Sequence, residues 1–393
     1  MIWFWLWGMV ELCVWLYYVT QAAIGFRSLA DLNEPAWSVG PESWNRLPRL
    51  LVVVPARDEE KKIEACLRSL VRSFYPNLRI VAVNDRSSDA TGAIMDRLQQ
   101  EFPTRLSVLH ITELPEGWLG KTHAMWLGAQ QQASDYLLFT DGDVLFAPQA
   151  LVRAVNYLES EQADHLVLFP TLLLQSFGET MMIALFQTLF IFEHRAWKVA
   201  DPDSNEHLGV GAFNLVRRSA YEAIGTYQAL RLAVLDDMML GERIKRFGCE
   251  QRAAYGRDLV QLRWAEGALG VIRGLTKNAF ALSGFRTGKL LFQMLGVACI
   301  LLGPYFGAVF APGIAKLPFL LAIAVIWTQY IGMARTLNIH ALYMFTHPVA
   351  AALFLYAMLR SMIVTLWTGG IEWRGTRYSL HDIRSSRPTF RRL

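Results

Sequence analysis

The stretch Tyr136-Leu137-Leu138-Phe139-Thr140-Asp141-Gly142-Asp143 decides how the chain is read: four apolar residues, a threonine, then two carboxylates separated by one glycine. An unbroken apolar run of this length suits a strand covered on both faces, as in a parallel sheet flanked by helices. In such sheets ligands bind outside the carboxyl ends of the strands, where Asp141 and Asp143 would stand. One small residue between them lets both side chains face a hard divalent cation, Mg²⁺ or Mn²⁺, with positions left open for phosphate oxygens. The same residues also make a good turn, so on this stretch alone the turn and the metal site are equal readings.

Working outward, β-branched or apolar runs end near Val54, Asn84, Ile111 and Thr140, and the first three are each followed by a polar, helix-compatible stretch. A spacing of about 30 residues is what successive βαβ units require. Helices are expected over 60–73, 89–101, 121–133 and 236–247. After the first run stands Pro55-Ala56-Arg57-Asp58-Glu59-Glu60, with no glycine-rich fingerprint. That disfavours both a dinucleotide fold and a P-loop.

The remainder of the chain is not that of an ordinary soluble enzyme. Its 393 residues are 53% hydrophobic and 18% charged, with a mean hydropathy of +0.25. Residues 2–26 form an apolar, aromatic run broken only by Glu11 and Gln21, long enough to cross a bilayer. No basic segment precedes it and no small-residue cleavage pattern follows, so it reads as a retained anchor. Three further apolar stretches lie at about 290–311, 317–334 and 348–367; the second borders on the minimum spanning length and the third carries Arg360. The expected organisation is an anchor over 1–28, an α/β catalytic domain over 45–285, membrane or interfacial helices over 286–370, and a basic tail over 371–393. That tail holds six arginines against Glu372 and Asp382, which equals the net charge of +4 of the whole chain. The rest balances, and nothing points to nucleic acid. Four scattered cysteines offer neither a disulfide framework nor a metal motif.

Further residues at expected strand ends and helix starts bear chemistry. Asp85, in Asn84-Asp85-Arg86-Ser87-Ser88-Asp89, stands at a strand tip where a carboxylate can accept hydrogen bonds from a base or ribose, whereas Ser88 or Asp89 suits a helix N-cap. Lys121, after Gly117-Trp118-Leu119-Gly120, opens a helix whose N–H groups can meet a diphosphate, although a lysine there is equally an ordinary solvated residue. Asp236 and Asp237 open another helix, favoured by its dipole or placed to act as a general base. Residues 178–197 are apolar with Glu193, His194 and Arg195 at their end, which fits an interfacial helix or a buried one.

In order along the chain, PARDEE (55–60), NDRSSDAT (84–91), GWLGK (117–121), TDGDV (140–144), GVGAFNLVRR (209–218) and LDDMMLGERIKRFG (235–248) resemble the family-2 inverting glycosyltransferases with a GT-A nucleotide-sugar-binding domain. The match covers about 51–280 and is similar to the membrane-bound, lipid-directed branch, which includes hopanoid- and carotenoid-associated enzymes and, more distantly, ceramide glucosyltransferase. Trp264, Gly274-Leu275-Thr276-Lys277-Asn278 and Glu372-Trp373-Arg374-Gly375-Thr376-Arg377-Tyr378 are similar to that branch as well. The resemblance implies nucleotide contact from Pro55, Arg57, Glu59 and Asp85, diphosphate contact from Lys121, metal binding through Asp141 and Asp143, and Asp237 as base with Asp236 beside it. It places Arg263, Trp264, Lys277, Trp373 and Arg374 on the acceptor and diphosphate side. Processive synthases of this family carry Q-x-x-R-W, and Val260-Gln261-Leu262-Arg263-Trp264 has valine at the glutamine position, against chain elongation.

The expected activity is therefore metal-dependent, inverting transfer of a sugar from a nucleoside-diphosphate sugar, UDP-linked by the resemblance, to the hydroxyl of a membrane lipid. Its alternatives are a processive polysaccharide synthase and a non-catalytic membrane scaffold. Cytosolic nucleotide sugars put the catalytic domain inside, at a bacterial cytoplasmic membrane. Three true C-terminal spans would then export the arginine-rich tail against the positive-inside rule, so one is expected to be re-entrant or interfacial, with the second and third as suspects.

Overall fold

The computed structural model describes residues 1–40, 42, 46–373 and 376–385. In chain order it runs α1 (Ile2–Gly25), β1 (Ala30–Asp31), β2 (Leu50–Ala56), α2 (Ile63–Val71), β3 (Leu78–Asp85), α3 (Thr91–Glu101) and β4 (Leu106–Ile111). Next come α4 (Gly120–Gln130), β5 (Tyr136–Phe139), β6 (Val144–Phe146), α5 (Ala150–Ser160), β7 (His165–Phe169), β8 (Thr171–Leu172) and α6 (Phe177–Glu193). They are followed by β9 (Asn214–Arg217), α7 (Arg218–Ala223), α8 (Asp236–Arg246), β10 (Gln251–Tyr255), β11 (Val260–Leu262) and α9 (Gly267–Leu282). The chain continues through α10 (Thr287–Phe310), α11 (Leu317–Leu337), α12 (His347–Thr368), β12 (Gly370–Trp373), β13 (Thr376–Ser379) and α13 (Leu380–Ser385). Two compact units result.

One unit comprises residues 29–173, 196–263 and 374–393. Its eight-stranded sheet has the order β1-β10-β7-β9-β5-β2-β3-β4. Every residue of β2 and β5 is buried, as their apolar runs require of central strands with helices on both faces. Pairing is parallel throughout except at β9, which runs antiparallel to β5 and β7. The expected strands one to four do pair in parallel, whereas β9 was not among the strands expected from the sequence, and its direction has a consequence for the site. Asn214, first in β9, pairs with Phe139, last in β5, so the loop before β9 arrives at the carboxyl edge where Asp141 stands. Thr140 Oγ1 ties the two together by donating to the Ala212 carbonyl at 2.8 Å. A small second sheet, β6-β11-β8, lies beyond the Asp141–Asp143 turn.

The other unit comprises residues 1–28, 174–195 and 264–373, so α6 and α9 group with the apolar helices. Among the described residues four helical segments are long and apolar enough to cross a membrane: 2–28, 287–310, 313–337 and 341–368. The stretch expected over 317–334 thus has ample length. Pro304 inside α10 has no N–H for the carbonyl of Ile300, and the indole of Trp15 on α1 donates to that carbonyl at 3.0 Å. Trp15 also packs edge-on against Phe192 of α6, with ring centroids 5.4 Å apart. Between α9 and α12, Arg360 donates to Thr276 Oγ1 at 2.6 Å and Ser361 accepts from the N–H of Phe280 at 3.0 Å. The apolar stretch read over 178–197 is therefore a helix packed within this unit, with Met182, Ala184 and Leu185 fully buried.

Candidate active site

Lys121 is the centre of the site. It occupies the first turn of α4, and its ammonium lies 2.8 Å from Asp141 Oδ1 and 3.3 Å from Asp236 Oδ2. Burial alone would pull the ammonium toward the neutral form, but Asp141, Asp236 and Asp237 together outweigh it and hold the pKa above the usual lysine value. Residues more than a hundred positions apart thus meet around one cation.

Asp237 faces the same place with a different set of partners. Its Oδ1 accepts from the N–H of Met238 at 2.8 Å and its Oδ2 from the N–H of Gly211 at 2.9 Å. Burial pushes its carboxyl up; Lys121 and these two backbone donors oppose the shift. A side chain at Gly211 would come within 2.7 Å of Asp141 and 3.5 Å of Asp237, so only glycine leaves the gap between those carboxylates open.

Asp143 is engaged separately, 3.1 Å from the Lys62 ammonium of the loop preceding α2. Burial first, and then the charge of Asp141, draw its carboxyl upward, with Lys62 opposing and Glu59 adding to the rise. Among the described residues no group of three or more His, Cys, Asp or Glu is arranged to hold a metal ion. What is present is a pair of partly buried carboxylates, Asp141 and Asp143, each with a lysine ammonium beside it. That donor set fits a hard divalent cation completing its shell with phosphate and water oxygens, the low-protein-ligand style of Mg²⁺ and Mn²⁺.

The loops after β2 and β3 are stitched to each other. Glu59 N–H donates to Thr91 Oγ1 at 2.7 Å, Glu60 N–H to Asp89 Oδ2 at 3.1 Å, and Ser88 N–H to Asp58 Oδ1 at 2.7 Å. Asp89 also accepts from the N–H of Thr91 at 3.0 Å, but the cap position of α3 is Ala90, so neither Ser88 nor Asp89 is its N-cap. Pro55 and Ala56, at the end of β2, pack against Gly142 of the acidic turn. Asp85 is buried and held by both arms of its neighbour, with Arg86 Nε at 2.7 Å and Nη2 at 3.1 Å. A side chain at Gly120 would collide with Asp85, which brings the β3 tip against the start of α4. Strand β13 reaches the same edge: Arg57 donates to Thr376 Oγ1 at 2.8 Å, and Gly120 N–H donates to the Tyr378 hydroxyl at 3.1 Å.

Of the residues singled out in the sequence, Pro55, Arg57, Glu59, Asp85, Lys121, Asp141, Asp143, Asp236 and Asp237 all lie at the carboxyl edge of one sheet. Arg263 follows β11 in the same unit. Trp264 and Lys277 belong to the unit of apolar helices, where Trp264 stacks on Phe186 with ring centroids 4.9 Å apart. The side chain of Trp373, Arg374, and tail residues 386–393 lie outside the described residues. Sequence reasoning gave no individual role to Lys62, Arg86, Gly211, Thr376 or Tyr378, although all but Lys62 lie within segments that carry the family resemblance.

Comparison with known proteins now defines the class. Residues 51–225 match the family model described as glycosyl transferase family 2. A mannosyltransferase from Pyrobaculum calidifontis, solved in complex with GDP-Man and Mn²⁺, shares the fold, with a TM-score of 0.53 and 19% identity over 93% of this chain and 99% of that one. The chain carries a family 2 glycosyltransferase domain of GT-A fold and is a glycosyltransferase. Among curated proteins it is similar to the 4,4'-diaponeurosporenoate glycosyltransferase of Staphylococcus aureus strain MRSA252, at 23% identity over 84% of this chain and 88% of the relative. The same enzyme of strain USA300 matches equally, at 23% over the same shares. The alternative of a non-catalytic scaffold is thereby set aside.

Proposed function

We propose that the protein transfers a sugar from a nucleoside-diphosphate sugar to the hydroxyl of a membrane-dissolved lipid, with inversion, on the cytosolic face of a bacterial membrane. The observation that carries this reading is the Lys121 ammonium shared by Asp141 and Asp236 beside an Asp237 carboxylate aimed by the N–H of Gly211. A family 2 domain in the same chain as four helices fit to span a bilayer supports an acceptor that never leaves the lipid, and a relative named for 4,4'-diaponeurosporenoate agrees.

In this reading Asp85 and the loops holding Arg57 and Glu59 bind the nucleoside, and Lys121 neutralises charge that builds on the departing diphosphate, a type of contact worth about 10²–10³ in rate. Asp141 and Asp143 would hold Mg²⁺ or Mn²⁺, which supplies Lewis-acid stabilisation of the same diphosphate when bound. Asp237 takes the proton of the acceptor hydroxyl as its oxygen attacks the anomeric carbon from the face opposite the leaving group, worth about 10²–10⁴. Asp236, paired to Lys121, holds that lysine in place. Arg263, Trp264, Lys277, Trp373 and Arg374 serve the acceptor and diphosphate side. Valine at position 260 favours a single transfer over chain elongation.

Calorimetry with UDP and GDP, each with Mn²⁺, separates these roles. Asp237→Asn is expected to abolish turnover while binding the preferred nucleotide within about threefold of wild type, and Asp143→Ala to lose metal-dependent binding. Equal loss of binding in both variants refutes the assignment. Mass spectrometry of lipids from cells with and without the gene identifies sugar and acceptor.

A further inference from the structure

The Asp237 carboxylate takes half of its orientation from a loop, because Oδ2 is held by the N–H of Gly211. Residues 208–213 form no helix or strand, yet their backbone is gripped from beneath at two points. Gln251, first in β10, clasps the Leu208 peptide with its whole amide: Oε1 accepts from the Leu208 N–H at 2.9 Å and Nε2 donates to its carbonyl at 3.1 Å. The same Nε2 lies 2.7 Å from Nδ1 of His165, the register partner of Gln251 on β7. His165 Nε2 lies 3.1 Å from Asn214 Oδ1, and Asn214 Nδ2 donates to the Val210 carbonyl at 2.8 Å. From Leu208 through Gln251, His165 and Asn214 to Val210 the hydrogen bonds close a ring on the loop that presents Gly211.

Donor and acceptor roles around this ring have one consistent assignment. The oxygen of Gln251 is committed to an N–H, so its nitrogen must donate to His165 Nδ1; His165 therefore carries its proton on Nε2 and gives it to the Asn214 oxygen, which leaves the Asn214 nitrogen to donate to Val210. A protonated imidazole would set a second donor against Gln251 and break the clasp on Leu208. Burial keeps His165 neutral, with a pKa lowered to about 4. All three side chains are at most 1% exposed, so no water competes for these bonds. The loop also lies backbone to backbone on α8: a side chain at Gly209 would collide with the Asp237 carbonyl, and one at Gly241 with that of Leu208.

We propose that Gln251, His165 and Asn214 are positioning residues for the transfer reaction, a buried ring that aims the Asp237 carboxylate through loop 208–211. The inference rests on the reading of Asp237 as the base, and none of the three touches a substrate.

The test uses the full-length protein in detergent, with UDP or GDP, whichever the wild type binds, as the binding probe. Gln251→Leu and Asn214→Leu open the ring at opposite ends and are expected to lower kcat about 10- to 100-fold while nucleotide Kd and donor KM stay within twofold. His165→Leu is expected to behave like them, and His165→Gln, which keeps a donor toward Asn214, to recover kcat to within about threefold of wild type. Either open-ring variant retaining full kcat overturns the proposal, as does a loss of kcat matched by an equal loss of nucleotide binding. Should a leucine variant fail to fold, Asn214→Ser removes the Val210 bond with a smaller polar group and is judged by the same split. If Asp237→Asn keeps its turnover, the base reading itself has failed, and that outcome is distinct from every result of the ring variants.

Discussion

At the scale of single residues, Lys121 tests the charge balance most directly. Its ammonium is shared by Asp141 and Asp236, and its side chain is only 16% exposed. Lys121→Met leaves those carboxylates facing each other without a cation, and a nucleoside diphosphate entering them meets like charge. We expect nucleotide affinity to fall about tenfold and kcat/KM by about 10²–10³. Lys121→Arg should not rescue, since a planar fork cannot place one compact charge between two oxygens. Calorimetry and steady-state kinetics on both variants decide it; an active arginine variant would mean that bulk positive charge suffices. The sequence made Lys121, Asp141, Asp143 and the Asp236–Asp237 pair legible because each stands at a strand end or helix start. Only the family resemblance separated the two adjacent aspartates; their own chemistry could not, because that depends on which of them meets Lys121 and which meets Gly211, and both partners are distant in the chain. The contacts of Lys62 with Asp143 and of Tyr378 with Gly120 were illegible for the same reason.

At the scale of elements, strands two to five and their helices fall within a few residues of where hydrophobic periodicity puts them, because β2, β3 and β5 are largely buried apolar runs and all four strands, including the half-exposed edge strand β4, are bounded by turn residues. The antiparallel β9 was not readable, since its Asn214–Arg217 run is too short to carry a direction. Its direction brings the loop holding Gly211 to the catalytic edge, and its first residue joins the ring with His165. That ring links pH to stability. His165 has a pKa of about 4 when folded and about 6.5 when unfolded. Its contribution is therefore complete above pH 6.5 and is lost as pH falls toward 4, where the unfolded chain binds the proton that the folded one refuses. At pH 4.5 wild type should have lost roughly 2–3 kcal/mol from this group. Urea melts at pH 7.5 and 4.5 should show this loss in wild type and not in His165→Gln, and equal losses in both would mean that His165 is not held neutral by the fold.

At the scale of the whole molecule, the open question is how many of the three C-terminal apolar helices cross the membrane, and hydrogen bonds within the catalytic unit bear on it. Arg57 and Gly120, both before α6, bond to Thr376 and Tyr378, both after α12. We therefore expect the chain that leaves this unit after Arg263 to return to the same side of the membrane, and the number of crossings made by α10, α11 and α12 to be even. All three have the length and composition to span, which is why hydropathy alone could not settle the matter. Arg360 singles out α12. A guanidinium at the centre of a bilayer costs at least about 2.5–3.5 kcal/mol, and here Arg360 and the adjacent Ser361 bond to Thr276 of α9, a helix that also bears Arg273, Lys277 and Asn278. A helix bonded along its second half to so polar a neighbour belongs at the interface, where Arg360 can reach water. We therefore expect α10 and α11 to cross and α12 to lie re-entrant or interfacial. This places the segment around Gly313 outside and both the segment around His340 and the arginine-rich tail inside, as the positive-inside rule favours. Single cysteines at 313, 340 and 385, in a background lacking Cys13, Cys66, Cys249 and Cys299, should be labelled by a membrane-impermeant maleimide in intact cells at 313 alone. Labelling at 340 but not at 385 would assign the non-crossing helix to α10 or α11, and labelling at 385 would mean that an odd number of the three cross and that the bonds of β13 to Arg57 and Gly120 do not form in the membrane.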